Sequence, residues 1–220
     1  LKLLAIDTST DACSAALSLD GAMSSRYTLA PRRHAELILS MVDELLREAD
    51  TALTRLDALA FGRGPGAFTG VRIAAGVIQG LALAAELPVV PVSSLAALAQ
   101  GAITKSDCLI SAIDARMGEV YWGLFQVRDR LALPVQDEAV TRPERMSVPA
   151  DRQWFGVGNA WQAYARELSA AVNQRLIGRD ESAYPHARDM IPLAAQAYAA
   201  GGAVPAELAL PVYLRNPVAG

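Results

Sequence analysis

Apolar positions in the first thirty residues follow a two-residue or unbroken rhythm rather than a helical one. Residues 1–8 read as a strand apolar enough to be covered on both faces, and residues 13–19 as a second strand. Asp20-Gly21 then forms a hairpin turn into a third strand over Ala22–Leu29. After Pro31 the period changes. His34, Leu37, Ile38, Met41, Val42, Leu45 and Ala49 recur three and four apart, which predicts an amphipathic helix over residues 33–49. A strand over 56–63 runs into a glycine-rich loop. A helix over 71–85 follows, stopped by Pro88, then a strand over Val89–Val92 and a short helix to Gln100 capped by Ser93 or Ser94.

From Gly101 the pattern starts again. Strands are expected over 109–113 and 119–127, around the turn Asp114-Ala115-Arg116-Met117-Gly118. Residues 128–153 have no clear period. A strand over Trp154–Val157, a helix from Gly158-Asn159 through 171 and a last helix over 185–200 complete the chain, with Pro185 in the first turn and Gly201-Gly202 after the last. Strands and helices in alternation predict an α/β protein, with a polar link after Gly101 dividing it into residues 1–102 and 103–220; the second part echoes the first only loosely.

The 220 residues are 52% hydrophobic and 20% charged, which excludes a disordered chain. A net charge of −3 argues against holding nucleic acid by phosphate neutralisation alone. Cys13 and Cys108 form no metal or redox motif, so a reduced, cytosolic setting is expected. The apolar run at the start is cut by Asp7, too early for a signal sequence. The longest later run, 73–85, is shorter than a membrane span and carries Gln79 and Gly80.

Two segments are candidates for chemistry. Asp7-Thr8-Ser9-Thr10 ends the first strand with a carboxylate beside hydroxyls. That arrangement either approaches a metal-bound phosphate or closes a hydrogen-bonded turn, and Ser9 puts a side chain where a phosphate turn wants glycine. Gly64-Pro65-Gly66-Ala67-Phe68-Thr69-Gly70 joins a strand to a helix, the place where free amides meet an anion, but it lacks the Gly-Lys-Ser/Thr ending of a P-loop. Asp7, Thr8, Gly64, Gly66 and Thr69 are therefore the cofactor-binding candidates. His34 has no His or carboxylate at i+4, His186 has only Asp189 at i+3, a pair common by chance, and no nucleophile–histidine motif is present. The helix over 71–85 is apolar nearly all round and carries Gly76 and Gly80 four apart. It either lies between the sheet and the first helix or meets a partner on its outer side.

Five segments in order resemble the TsaB (YeaZ) family: Leu4-Ala5-Ile6-Asp7-Thr8-Ser9-Thr10, the glycine loop through Arg72, Val92-Ser93-Ser94-Leu95, Asp114-Ala115-Arg116-Met117-Gly118-Glu119-Val120-Tyr121-Trp122, and Pro211-Val212-Tyr213-Leu214-Arg215. The resemblance implies an actin-like (ribonuclease H-like) fold of two related lobes, with mixed sheets flanked by helices. It implies a bacterial cytosolic protein needed for threonylcarbamoylation of adenosine 37 in tRNAs reading codons that begin with A. It further implies a non-catalytic subunit that pairs with a homologous catalytic subunit, TsaD, joined by an ATPase, TsaE. Homodimers would form through the same helices, tRNA would be met only in the complex, and ATP or ADP would sit at most at the junction with the catalytic partner. In TsaD-like proteins a His-x-x-x-His pair holds the metal; Ser94 and Leu98 stand at those positions here, so no metal is expected. The expected partner interface is His34, Leu37, Ile38, Met41, Leu45, Ile73, Val77, Gly80 and Leu81. The alternatives are an actin-like ATPase or small-molecule kinase using Asp7 and the glycine loop, and a metallopeptidase-like protein.

Overall fold

The computed structural model describes residues 1–215. Its first unit is Leu1–Ala97 with Pro185–Val212, and its second is Leu98–Tyr184 with the chain from Tyr213. The division is therefore discontinuous, which corrects the expected cut at 102/103. The reason lies in the last helix, which covers the sheet of the first unit and not that of the second.

In the first unit, β1 (Lys2–Asp7), β2 (Ala12–Leu19) and β3 (Ala22–Leu29) form the antiparallel meander read from the sequence. Helix α1 (His34–Glu48) follows, then β4 (Ala58–Gly62), helix α2 (Phe68–Ala85) and β5 (Val89–Val92); α3 (Ser94–Gln100) begins in this unit and passes into the second after Ala97. The sheet order is β3-β2-β1-β4-β5, with β4 and β5 parallel to β1. The two faces sort by residue parity. Leu4, Ile6, Ala15, Leu17, Leu59 and Phe61 meet Ile38, Val42 and Leu45 of α1 and Ala74, Ile78 and Ala82 of α2 in one core. Arg26 on that face reaches Glu44 and Glu48 of α1. Ser14 and Tyr27 lie on the opposite face, where Ser14 Oγ accepts from Ala187 N at 2.9 Å and Tyr27 stacks on His186.

The second unit holds β6 (Cys108–Arg116), β7 (Glu119–Arg128), β8 (Leu131–Pro134), β9 (Ala139–Thr141), β10 (Trp154–Val157), α4 (Ala160–Ala163), α5 (Ala165–Val172) and β11 (Leu176–Asp180). Its sheet order, β8-β7-β6-β10-β11, repeats that of the first. Three antiparallel strands again lead into two parallel ones. Trp122, Trp154, Trp161, Leu124, Leu168 and Val172 fill its core. The last helix, α6 (Ala187–Ala199), returns to the first unit.

Several boundaries differ from the sequence reading, each for a physical reason. Helix α2 begins at Phe68, three residues before Val71, because Gly70 is a helical residue kept small for a close approach described below. The expected helix over 159–171 breaks at Tyr164, whose backbone leaves helical geometry and whose hydroxyl donates to Asp114 Oδ1 at 3.2 Å. Strands β8, β9 and β11 were hidden because they are short and half-exposed, with no long apolar alternation to mark them. Pro185 lies outside α6, whose cap is His186: its Nδ1 accepts from Arg188 N at 3.1 Å. Burial, and then Arg188, pull the His186 pKa down to about 4, so it caps as the neutral imidazole. By length and composition alone α2 could cross a membrane, yet Ala74, Ile78 and Ala82 on it are core residues of the first unit.

The parity of α1 gives a direct test. Ile38 is fully buried while its neighbour Leu39 is 52% exposed. Ile38→Ala is expected to cost about 2–4 kcal/mol in urea unfolding, and Leu39→Ala no more than about 0.5 kcal/mol.

Candidate functional site

The turn after β1 and the glycine loop after β4 lie against each other at the edge where both strands end. Thr8 Oγ1 donates to Gly70 O at 2.7 Å, and Ala67 N donates to Ser9 O at 2.7 Å. A Cβ on Gly66 would overlap the Ser9 carbonyl oxygen, and one on Gly70 the Thr8 carbonyl oxygen. The loop is glycine-rich because it cradles the backbone of Thr8 and Ser9. The start of the loop is also tied down: Arg63 N donates to Val92 O, and Gly64 O accepts from Ser94 N. Val212 N donates to Arg63 O from the segment that follows α6. Gly64 precedes a cis proline and has a φ of +95°, a conformation that side-chain-bearing residues avoid.

Asp7 is fully buried in this cradle. Its Oδ1 accepts from Ser9 N at 3.0 Å and from Ser9 Oγ at 2.9 Å. Gly62 closes its other side, for a Cβ there would collide with the carboxylate. Burial pushes the Asp7 carboxyl up to about 6; the bonds from Ser9 and the nearby Ser94 hydroxyl keep it from rising further. Cys13 on β2 is likewise pushed up to about 11 by burial and then by the Asp7 charge, so its thiol stays protonated at neutral pH.

Of the cofactor candidates, Asp7, Thr8 and Gly64 are buried, Gly66 is half-buried and Thr69 is exposed. The structure brings the first four together, but as a filled joint. Ala67 N already bonds Ser9 O, and the space beside Gly66 is occupied by that carbonyl. Ser94 and Leu98 are buried on α3, and neither supplies an imidazole. Among the described residues no three His, Cys, Asp or Glu side chains cluster as a metal site would need.

The outer surface of α1 and α2 is different in kind. Six of the nine expected interface residues keep some exposure: Gly80 is exposed, and Leu37, Met41, Ile73, Val77 and Leu81 are half-buried, packed against the edge of the core. His34, Ile38 and Leu45 are corrected: they point into the core, since the stripe at i, i+4, i+8 and i+11 is the one α1 lays on the sheet. Three residues missed from the sequence stand out instead, Leu39, Phe68 and Leu83, exposed at 52%, 66% and 65%. The Arg72 guanidinium sits 3.2 Å over the Phe68 ring, a cation–π contact at the start of α2. Gly76 and Gly80 face open space. The exposed residues between the apolar ones are tied in pairs such as Arg33–Glu36 and Arg47–Asp43, which contribute little on their own. The signal for this outer stripe was the all-round apolar character of α2; the residues alone did not say which side the sheet would take.

Repeated mixed sheets, helices on the sheet of the first unit and a strand-end glycine loop define the class: an α/β protein with the actin-like two-lobe fold, its glycine loop packed on its own chain. A family model described as TsaD, tRNA N6-adenosine threonylcarbamoyltransferase, matches residues 28–220. The tRNA threonylcarbamoyladenosine biosynthesis protein TsaB of Escherichia coli strain K12 is 47% identical, over 100% of this chain and 96% of its own length. The protein of the same name from Haemophilus influenzae is 42% identical, over 99% and 95%. The solved structure of YeaZ from Pseudomonas aeruginosa superposes with a TM-score of 0.92 at 51% identity, covering 97% of this chain and 99% of that one. The chain belongs to the TsaB (YeaZ) family.

Asp7 gives a pH test with a definite sign. Its folded-state pKa of about 6 lies above the ordinary 3.8, so its contribution to stability is fully present below about pH 4 and lost as the pH rises through 6. Asp7→Asn removes the buried charge and keeps an acceptor for Ser9. Its stability advantage over the parent is expected to grow between about pH 4 and 7 to roughly 2–3 kcal/mol, read by urea unfolding. An advantage independent of pH would contradict the buried ionisation.

Proposed function

We propose that this chain is a non-catalytic subunit in bacterial tRNA threonylcarbamoyladenosine biosynthesis, acting by pairing with and activating a homologous TsaD-type catalytic subunit. The observation that carries the reading is the outer surface of α1 and α2. Leu39, Phe68 and Leu83 are exposed on these helices, Ile73, Val77 and Leu81 are half-buried, and Gly76 and Gly80 leave room for another helix to approach. Large exposed side chains on helices that already cover a sheet favour a helical partner on the outside. Two helices from each subunit would then form a four-helix bundle. Without the partner, two copies of this chain would meet through the same face.

The joint between Asp7 and the glycine loop supports the non-catalytic half of the proposal, because it spends on internal contacts the groups a kinase would direct at phosphate. Any ATP or ADP of the assembly would therefore be held chiefly by the catalytic subunit, and a TsaE-type ATPase would supply nucleotide turnover. The net charge of −3 agrees with tRNA being gripped by the assembled complex. The cytosol is the compartment this work requires.

Gly80→Arg tests the pairing face. A Cβ at Gly80 meets nothing within 4 Å, so the variant is expected to fold and melt like the parent. It should lose the complex with the TsaD-type subunit on size-exclusion chromatography, and with it the stimulation of tRNA modification. An unchanged complex would remove the α1–α2 face from the proposal.

A further inference from the structure

The outer edges of the two sheets are protected unequally. In the second unit, β8 and β9 are four and three residues long, β8 ends in Pro134, and the five-residue β11 carries Arg179 and Asp180. In the first unit, β5 is closed by the segment after α6: Val89 and Val204 exchange two N–H···O bonds of 2.8 Å. Shortness, proline, charge and a covering segment all keep an edge from recruiting another strand. The other edge of the first sheet, β3, has none of them. It pairs with β2 at eight consecutive positions, Ala22–Leu29, without a bulge. It contains neither proline nor lysine, and its one charge, Arg26, is turned back onto Glu44 and Glu48 of α1.

The side chains of this edge are apolar where they are most accessible. Met23, Ser25, Tyr27 and Leu29 share the face away from α1, and Met23, Tyr27 and Leu29 are exposed. The Tyr27 ring is fixed by its stack on His186, with centroids 4.9 Å apart. Every second residue of an edge strand turns its N–H and C=O away from its neighbour, a template for one more strand.

The strand that fits is a second β3. Antiparallel pairing about a two-fold axis through Ser25, normal to the sheet, sets Ser25 opposite itself, Ser24 opposite Arg26 and Met23 opposite Tyr27. By symmetry the Met23–Tyr27 pair forms twice, thioether against ring. Each Arg26 then meets a serine, whereas an axis through Arg26 would set two arginines opposite each other. Because β5 is closed, this pairing uses the one open edge of each sheet and stops at two copies. We propose that two copies of this chain join the sheets of their first units through β3, antiparallel and centred on Ser25. The sheet edge and the helices that cover the sheet are different surfaces, so the contact does not depend on the α1–α2 pairing put forward above.

The test uses the full chain carrying Gly80→Arg, which keeps helical pairing out of the measurement. Analytical ultracentrifugation should show a dimer that dissociates on dilution. Adding Met23→Lys, a charge at an exposed edge position, should leave the melting temperature unchanged and weaken the dimer about tenfold, while Met23→Leu stays within about twofold. Oxidation of Ser25→Cys should give a disulfide-linked dimer, since directly opposite Cα atoms lie about 4.5–5.5 Å apart and a disulfide spans about 4.4–6.8 Å. Arg26→Cys should not be linked, because residue 26 lies diagonal to its copy at about 7–8 Å. The parent, which keeps Cys13 and Cys108, should not be linked either. A monomer at every concentration, a dimer indifferent to Met23→Lys, or a link from Arg26→Cys with none from Ser25→Cys overturns the proposal. The link at Ser25→Cys reports on β3 alone, so its presence or absence decides the matter whether or not Gly80→Arg acts on the helical face.

Discussion

Two short hydrogen bonds, Thr8 Oγ1 to Gly70 O and Ala67 N to Ser9 O, set the arrangement on which the rest of the first lobe depends. They fix where α2 begins and how closely it approaches the end of β1. Gly66 and Gly70 permit that approach; any side chain there would push the two segments apart. The same contacts bury Asp7 and close the place where an actin-like protein would receive a phosphate. One constraint thus bears on both halves of the proposed function: it fills the space between the glycine loop and the β1 turn, and it positions a surface helix.

That surface helix works on two sides. Ala74, Ile78 and Ala82 lie on the sheet, while Gly76, Gly80 and Leu83 face outward. The same division runs along α1, where Ile38, Val42 and Leu45 are core and Leu39 is exposed. A helix apolar on both sides carries a standing cost in water unless something covers the outer side. In this protein the outer side is where small and large residues alternate in the way helix pairs need.

Much of this was legible in the sequence, and the limits have physical causes. The antiparallel meander, both long helices and β5 followed from period and punctuation, because each has a long or sharply bounded apolar pattern. The resemblance of five segments to the TsaB family predicted the two-lobe fold, and the repeated strand order confirms it although the two halves share little obvious sequence pattern. Strand β11, with the pattern Leu-Ile-Gly-Arg-Asp, was invisible because an edge strand needs few buried residues. Gly66 and Gly70 announce a close approach in the sequence without saying that the approaching groups include the Ser9 and Thr8 backbone. Of the residues expected at the interface, His34, Ile38 and Leu45 lie on the stripe that faces the core. His34, Ile38 and Leu45 have the same periodicity whether they face the sheet or a partner, and only the packing of α1 on β2 decides.

The central claim is that this chain acts through a covered helical face and not through chemistry at its glycine loop. Amide hydrogen exchange followed by mass spectrometry tests it most directly, comparing the chain alone, with ATP and Mg²⁺, and with the TsaD-type subunit. Slowed exchange over α1 and α2 in the presence of the subunit, with residues 62–70 of the isolated chain indifferent to nucleotide, is the result the account predicts. Protection of the glycine loop by ATP in the isolated chain, with α1 and α2 unaffected by the subunit, would contradict it.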